Sequence, residues 1–250
     1  MQAQRFQAQR FDGVDALRGL AMVWMTVFHF CFDLNQQGYI HQNFLVDPVW
    51  AWQRTCILSL FLLCAGMGQA IVQHQGQSTG RFARRWLQIA GSALLVTAAS
   101  AWMFPKSFIY FGVLHGMAVM LIVVRLSARW GVWLWPLGAL ALAMKPIAAY
   151  AIQSGVWGVF LNEKIFNWLG LISVKPITED YVPLIPWLGV MWWGMALMQW
   201  RLKRQPTPAP WALPRPLLPL AALGRWSLSY YMAHQPVLLA LLWLWAVLSR

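Results

Sequence analysis

The chain has 250 residues, 60% of them hydrophobic and only 10% charged, with 18 Trp and a formal net charge of +12. A soluble domain carries about 25% charged residues, and apolar runs of about 18 residues or more read as membrane-spanning helices. Composition therefore excludes an ordinary soluble domain and predicts an all-α, polytopic transmembrane helix bundle; its cationic excess falls at the ends of the apolar runs, which points to the lipid bilayer as partner and not to nucleic acid.

The apolar runs predict seven spans: Val14–Leu34, Trp50–Gln73, Arg85–Phe104, Phe108–Leu126, Gly131–Ala149, Pro183–Trp200 and Trp226–Leu248. Arg5 and Arg10 precede the first. Arg81, Arg84 and Arg85 lie between the second and third, and Arg125 and Arg129 between the fourth and fifth. Arg201, Lys203, Arg204, Arg215 and Arg225 lie between the sixth and seventh. These are alternate connections, so the positive-inside rule puts them and the N-terminus in the cytoplasm. Arg18 interrupts the first run and no A-x-A site follows, which predicts a retained helix and not a cleaved signal.

Two connections stand out. The proline-rich stretch 205–219 predicts an extended cytoplasmic linker. The stretch Tyr150–Val182 is long and partly amphipathic, with Trp157, Phe160, Phe166 and Trp168, and predicts a helix lying on the outer leaflet, with a lid over an external site as the alternative. No internal repeat is evident, which weighs against inverted-repeat transporters. Cys31, Cys56 and Cys64 lack metal-site spacing, and no metal is expected.

Three histidines, His29, His115 and His234, fall inside spans, where ionisable groups are costly and usually face a bundle interior or a cavity. On the first span Arg18, Met22, Met25, His29 and Asp33 share one helical stripe, with Asp15 one turn before Arg18. Arg18 to His29 is a rise of about 16 Å at ~1.5 Å per residue. The stripe is a candidate lining for a ligand reaching across the membrane, with Asp33 orienting His29 from one turn on. Equally, Asp15 and Arg18 could form a salt bridge that locks the helix end. His115 is flanked by Gly112 and Gly116, which permit close helix approach or leave room for a ligand. His234 shares a face with Ser227 and Tyr231, and Pro236 predicts a kink beside it. Asp180 and Tyr181 precede the sixth span, where Asp180 either caps a helix or binds an amine or hydroxyl. Arg54 is a candidate partner for Asp33 or Asp47. These residues leave four classes open: a membrane acyltransferase, a small-solute or proton transporter with a histidine relay, a haem carrier using His115 and His234, and a scaffold without chemistry.

The run Arg10-Phe11-Asp12-Gly13-Val14-Asp15-Ala16-Leu17-Arg18-Gly19-Leu20-Ala21, followed by an apolar helix ending Val27-Phe28-His29, resembles transmembrane acyltransferases. It is most similar to the small bacterial members of the heparan-alpha-glucosaminide N-acetyltransferase catalytic family, related to the acyltransferase-3 group. The segments Phe111–His115, Asp180–Gly189 and Leu223–Pro236 share the resemblance, which covers nearly the whole chain as a single domain. It implies transfer of an acetyl or other short acyl group from cytoplasmic acetyl-CoA to a sugar on the far side of a bacterial inner membrane, and a homodimer. Under it Arg18, with Arg84 or Arg85, holds the CoA phosphates, and Asp15 belongs to the same cofactor site. His29, oriented by Asp33, takes the acceptor's proton, and His115 or His234 stabilises the oxyanion. Asp180, Tyr181 and Arg54 bind the acceptor. The family's animal members carry their active histidine in the first lumenal loop, so the catalytic role falls on either His29 or His41, the histidine in the corresponding loop here.

Overall fold

The computed structural model describes residues 11–44, 46–153, 161–204 and 213–249. Its helices are α1 (Asp12–Gln36), α2 (Pro48–His74), α3 (Thr79–Met103), α4 (Val113–Leu126), α5 (Leu134–Gln153), α6 (Leu184–Arg204), α7 (Leu218–Arg225) and α8 (Ser227–Leu248). No β-strand forms among the described residues; a single isolated bridge joins Phe111 to Tyr181. The protein is therefore all-α.

Local chemistry sets several helix ends. Asp12 and Asp15 occupy the first turn of α1, where carboxylates complement the helix dipole. Ser78 caps α3, its hydroxyl accepting the Arg81 N–H at 3.4 Å, so α3 starts before the apolar run does. Arg201, Lys203 and Arg204 fill the last turn of α6, where cations are favoured. Between α4 and α5 a 3-10 stretch, Ser127–Trp133, breaks at Gly131 (φ 59°, ψ −118°), a backbone conformation open to glycine.

The chain divides into two compact units, one of residues 1–64 and 207–250 and the other of residues 65–206, with α2 running through the boundary. In the first unit α1 packs against α7 and α8. The approach to α7 is backbone to backbone. A Cβ on Gly19 would strike the Leu220 carbonyl, and one on Gly224 would strike the Asp15 carbonyl. Above this contact Ala21, Met22, Met25, Ile57 and Phe61 form a core, with Leu223, Tyr230 and Tyr231 packed on it. Phe44, buried in the connection from α1 to α2, stacks on Trp50 with centroids 4.0 Å apart.

In the second unit α3 pairs with α4, and α6 packs on both α4 and α5. Gly138 of α5 lies under the Trp193 ring, whose Nε1–H donates to the Trp135 carbonyl at 3.0 Å. Gly66 meets the Met191 carbonyl. Met120, Met191, Met195 and Met198 are almost wholly buried; unbranched methionines suit such irregular gaps.

Each predicted span coincides with a helix. Among the described residues five helical stretches are long and apolar enough to cross a membrane, and α4 and α5 count together as one of them, Val113–Tyr150. That is fewer than seven because α4 alone is 14 residues long and α6 ends in a basic turn. Residues 205–212 of the predicted linker lie outside the described residues. From Arg215 the expected extended conformation gives way to a 3-10 turn, Arg215–Leu217, and then to α7. Pro219 falls in the first turn of α7, where a missing N–H costs nothing. Of the expected outer-leaflet helix, Trp157 and Phe160 lie outside the described residues; Phe166 and Trp168 flank or enter a short 3-10 turn, Asn167–Leu169.

Gly224→Ala is expected to destabilise the protein by about 1–3 kcal/mol through overpacking. Gly91→Ala, where an added Cβ meets nothing, is expected to stabilise by about 0.5–1 kcal/mol. Thermal unfolding in detergent would measure both, and equal effects would overturn the close-packed reading of the α1–α7 contact.

Candidate functional site

The polar residues of the first unit gather at two levels of α1. At its start, Arg18 Nη1 lies 3.0 Å from Asp15 Oδ1 and donates to the Gly224 carbonyl at 3.4 Å. Arg225 sits 2.8 Å from Asp12 and 3.8 Å from Asp15. The Asp15–Arg18 bridge considered from spacing is present, and it belongs to a four-residue network across the α1–α7 contact. Asp12 and Arg225 were not singled out in the sequence, since their proximity depends on a helix more than 200 residues later.

Higher on α1, the His29 and His234 rings lie with centroids 5.2 Å apart. His234 Nδ1 is 2.6 Å from the Tyr231 carbonyl. A carbonyl only accepts, so Nδ1 carries the proton, and in the neutral ring Nε2 is the bare lone pair. That Nε2 is buried with no hydrogen-bond partner among the described residues, and the residue is 8% exposed. Tyr230 stacks nearly parallel to the ring, at 10° and 6.2 Å, and its hydroxyl is 2.7 Å from Thr26 Oγ1.

Asp33 does not orient His29. Its carboxylate, 2% exposed, accepts from Gln235 Nε2 at 2.8 and 3.0 Å. An amide on α8 out-competes the ring one turn away because it can reach both oxygens at once. Gln235 Oε1 is buried without a partner among the described residues. Sequence reading missed Gln235, Thr26 and Tyr230; the signal available was their position next to, or one turn from, His234 and His29.

A second cluster lies in the other unit. His115 Nδ1 accepts the Gly112 N–H at 3.3 Å. Its Nε2 must then carry the proton, and it lies 3.0 Å from Thr97 Oγ1, whose hydroxyl donates to the Ile109 carbonyl at 2.8 Å. Both ring nitrogens are thus engaged in shaping the start of α4. Asp180 serves the same end, its carboxylate accepting the Val113 N–H at 2.7 Å, with Gly112 leaving room for it. The Tyr181 hydroxyl donates to the Asn167 carbonyl at 2.5 Å. Burial, with the Tyr110 phenol nearby, pushes the pKa of Tyr181 up and keeps it a donor.

A family model described as heparan-alpha-glucosaminide N-acetyltransferase, catalytic, matches residues 10–236. The chain belongs to this family. It is an integral membrane protein of a membrane acetyltransferase family, and the match runs from the start of α1 to just past His234 and Gln235. Neither a curated protein nor a solved structure matches the chain.

The remaining residues expected at an acetyltransferase site are surface groups. His41 is exposed between α1 and α2. Arg54 is exposed on α2, and no ion pair joins it to Asp33 or Asp47. Arg84 and Arg85 are exposed on the first turns of α3, and Arg85 lies 3.4 Å from Gln88. No group of three His, Cys, Asp or Glu that could hold a metal ion occurs among the described residues.

Gln235→Leu strands a buried carboxylate and is expected to cost about 1–3 kcal/mol. Adding Asp33→Leu removes both partners and is expected to restore most of that loss. The double-mutant cycle, read by thermal unfolding in detergent, checks the pair; strictly additive losses would refute the coupling.

Proposed function

We propose that the chain transfers an acetyl or other short acyl group from cytoplasmic acyl-CoA to an amine or hydroxyl of an extracytoplasmic sugar or glycan. The observation that carries this reading is the bare, buried Nε2 of His234 beside His29, in a chain of an acetyltransferase family. Acetyl-CoA supplies the activated thioester acyl group.

Arg18 is oriented by Asp15 and the Gly224 carbonyl. A guanidinium has five N–H donors, so donors remain for a phosphate of the CoA. His234 acts as general base. Its Nδ1–H, held by the Tyr231 carbonyl, leaves Nε2 to take the proton from the acceptor nitrogen or oxygen as that atom bonds to the acyl carbon. The resulting imidazolium returns the proton to the departing thiolate. His29, whose ring nitrogens bond no group among the described residues, offers an N–H to the negative charge growing on the acyl oxygen. This reverses the roles the sequence suggested for the two histidines, because only His234 has a backbone carbonyl fixing its tautomer. Asp33 and Gln235 position α8 and stay out of the proton path.

His115, Asp180 and Tyr181 support a positioning role at the start of α4 and not contact with the acyl group. The alternate basic connections support an N-terminus in the cytoplasm, which would give the Arg18 end of α1 access to CoA.

The test is transfer of radiolabelled acetyl from acetyl-CoA to glucosamine or another amino sugar by the purified protein in detergent. His234→Ala is expected to lower kcat by about 10²–10⁴-fold, the usual worth of a positioned base. His115→Gln is expected to lower thermal stability and leave kcat nearly unchanged. No transfer to any amino or hydroxyl sugar by folded protein, or an undiminished kcat in His234→Ala, would sink the proposal.

A further inference from the structure

The second unit holds a cavity of about 360 Å³ lined by Gln69, Gln73, Gln77, Arg125, Arg129 and Met195, together with Leu126 and Ala128. Its size falls within the range of small-molecule sites, about 300–1,000 Å³. No carboxylate lines it, so two cationic residues face it without a compensating negative charge. Gln69 and Gln73 lie one turn apart on α2, and Gln77 follows just past its end. Arg125 and Arg129 stand in the same relation across the end of α4.

The chemistry of the lining is specific. Arg125 is pre-oriented: its Nη2 donates to the Gln77 carbonyl at 3.3 Å, and its guanidinium lies 4.4 Å over the Phe82 ring. One hydrogen bond leaves most of its five N–H donors for an anion. A fork held this way loses less freedom on binding than a mobile lysine. Arg129 is exposed at the mouth. Gln199 donates to the Ala128 carbonyl at 2.8 Å, which fixes the wall between the arginines and α6. Gln77 Oε1 is buried and has no partner among the described residues. It is an acceptor, and it calls for a hydroxyl or amine hydrogen. The site thus asks for two things in one ligand, a compact anion for the arginines and an adjacent hydrogen-bond donor for the glutamines.

We propose that this cavity binds a hydroxyl-bearing phosphate ester. Arg125 and Arg129 take the phosphate oxygens through charge-assisted bonds, and the three glutamines take the neighbouring hydroxyls. The chemistry is shared by a glycerol phosphate lipid headgroup and by a soluble sugar or polyol phosphate. The inference stands apart from the acyl-transfer reading, since it uses none of the residues placed in that mechanism.

Two probes distinguish the sources, both applied to the full chain purified in detergent. Native mass spectrometry measures binding of phosphatidylglycerol against phosphatidylcholine. Microscale thermophoresis measures binding of glycerol 3-phosphate. Saturable binding of phosphatidylglycerol alone assigns a lipid headgroup, and saturable binding of glycerol 3-phosphate assigns a soluble ester. In either case Arg125→Gln is expected to weaken binding at least about tenfold, the worth of a lost charge-assisted bond. Arg129→Gln, at an exposed position where folding is not at risk, is expected to act in the same direction. Lys106→Gln removes an equal charge from an exposed site away from the cavity lining and is expected to leave affinity unchanged. The proposal is overturned if neither probe binds saturably to folded wild type, if Arg129→Gln and Arg125→Gln both bind like wild type, or if Lys106→Gln weakens binding as much as they do.

Discussion

The contact of α1 with α7 is made by backbone on backbone, at Gly19 against Leu220 and Gly224 against Asp15. Such approach needs residues without side chains, and in a membrane it is a main source of helix affinity, because lipid is as apolar as leucine. α7 is only eight residues long and leads through Trp226 directly into α8. Seating α7 therefore sets where α8 begins, and His234 falls two turns into α8, beside His29. The ion pairs of Arg18 and Arg225 close the same joint from its polar rim. Their individual worth is modest at partly exposed sites; their geometry matters more, because Arg225 ties α7, the lead-in to α8, to the start of α1, while Arg18, paired with Asp15 within α1, reaches across to the Gly224 carbonyl.

Within this frame the first unit pairs its polar groups with few exceptions. Asp33 has Gln235, Thr26 has Tyr230, and Trp24 Nε1 donates to Gln53 at 3.2 Å. A buried group left without a partner costs about 1–3 kcal/mol, so an orphan is not expected without a use for it. His234 Nε2 is such an orphan, held in one tautomer by a backbone carbonyl. The second unit shows the contrast. His115 has both nitrogens engaged and serves the backbone around it. Two intramembrane histidines of similar sequence context thus divide into one that completes a helix start and one that presents a lone pair.

Much of this was legible in the sequence. Hydropathy located a helix at each expected span, because a helix in lipid must be apolar along its length. Gly112 and Gly116 marked close approach, and they lie against Asp180 and the Val182 carbonyl. The Asp15–Arg18 bridge followed from i,i+3 spacing. Boundaries failed where pairing was non-local. The fourth helix starts at Val113 and not at Phe108, because residues 108–111 bond instead to the segment 178–182, as in Thr178 to the Phe108 carbonyl and Val182 to the Phe111 carbonyl. The same limit hid the site's polarity. Asp33 looked like the partner of His29 because helix spacing shows only neighbours on one helix. Gln235, its actual partner, lies 202 residues away, beyond the reach of spacing along one helix.

The first unit is assembled from the two ends of the chain, and that imposes an order on its synthesis. α1, carrying Arg18, His29 and Asp33, emerges before α7 and α8, and the Gly224 carbonyl and Gln235 that receive Arg18 and Asp33 are 206 and 202 residues downstream. At about 5–20 residues per second that interval lasts about 10–40 s. Throughout it, the Asp33 carboxylate lacks the amide that receives it in the folded chain, while the whole second unit is being made. Loss of α8 would therefore remove the His234 base and, in the same stroke, leave the Asp33 carboxylate of the first helix without its amide partner.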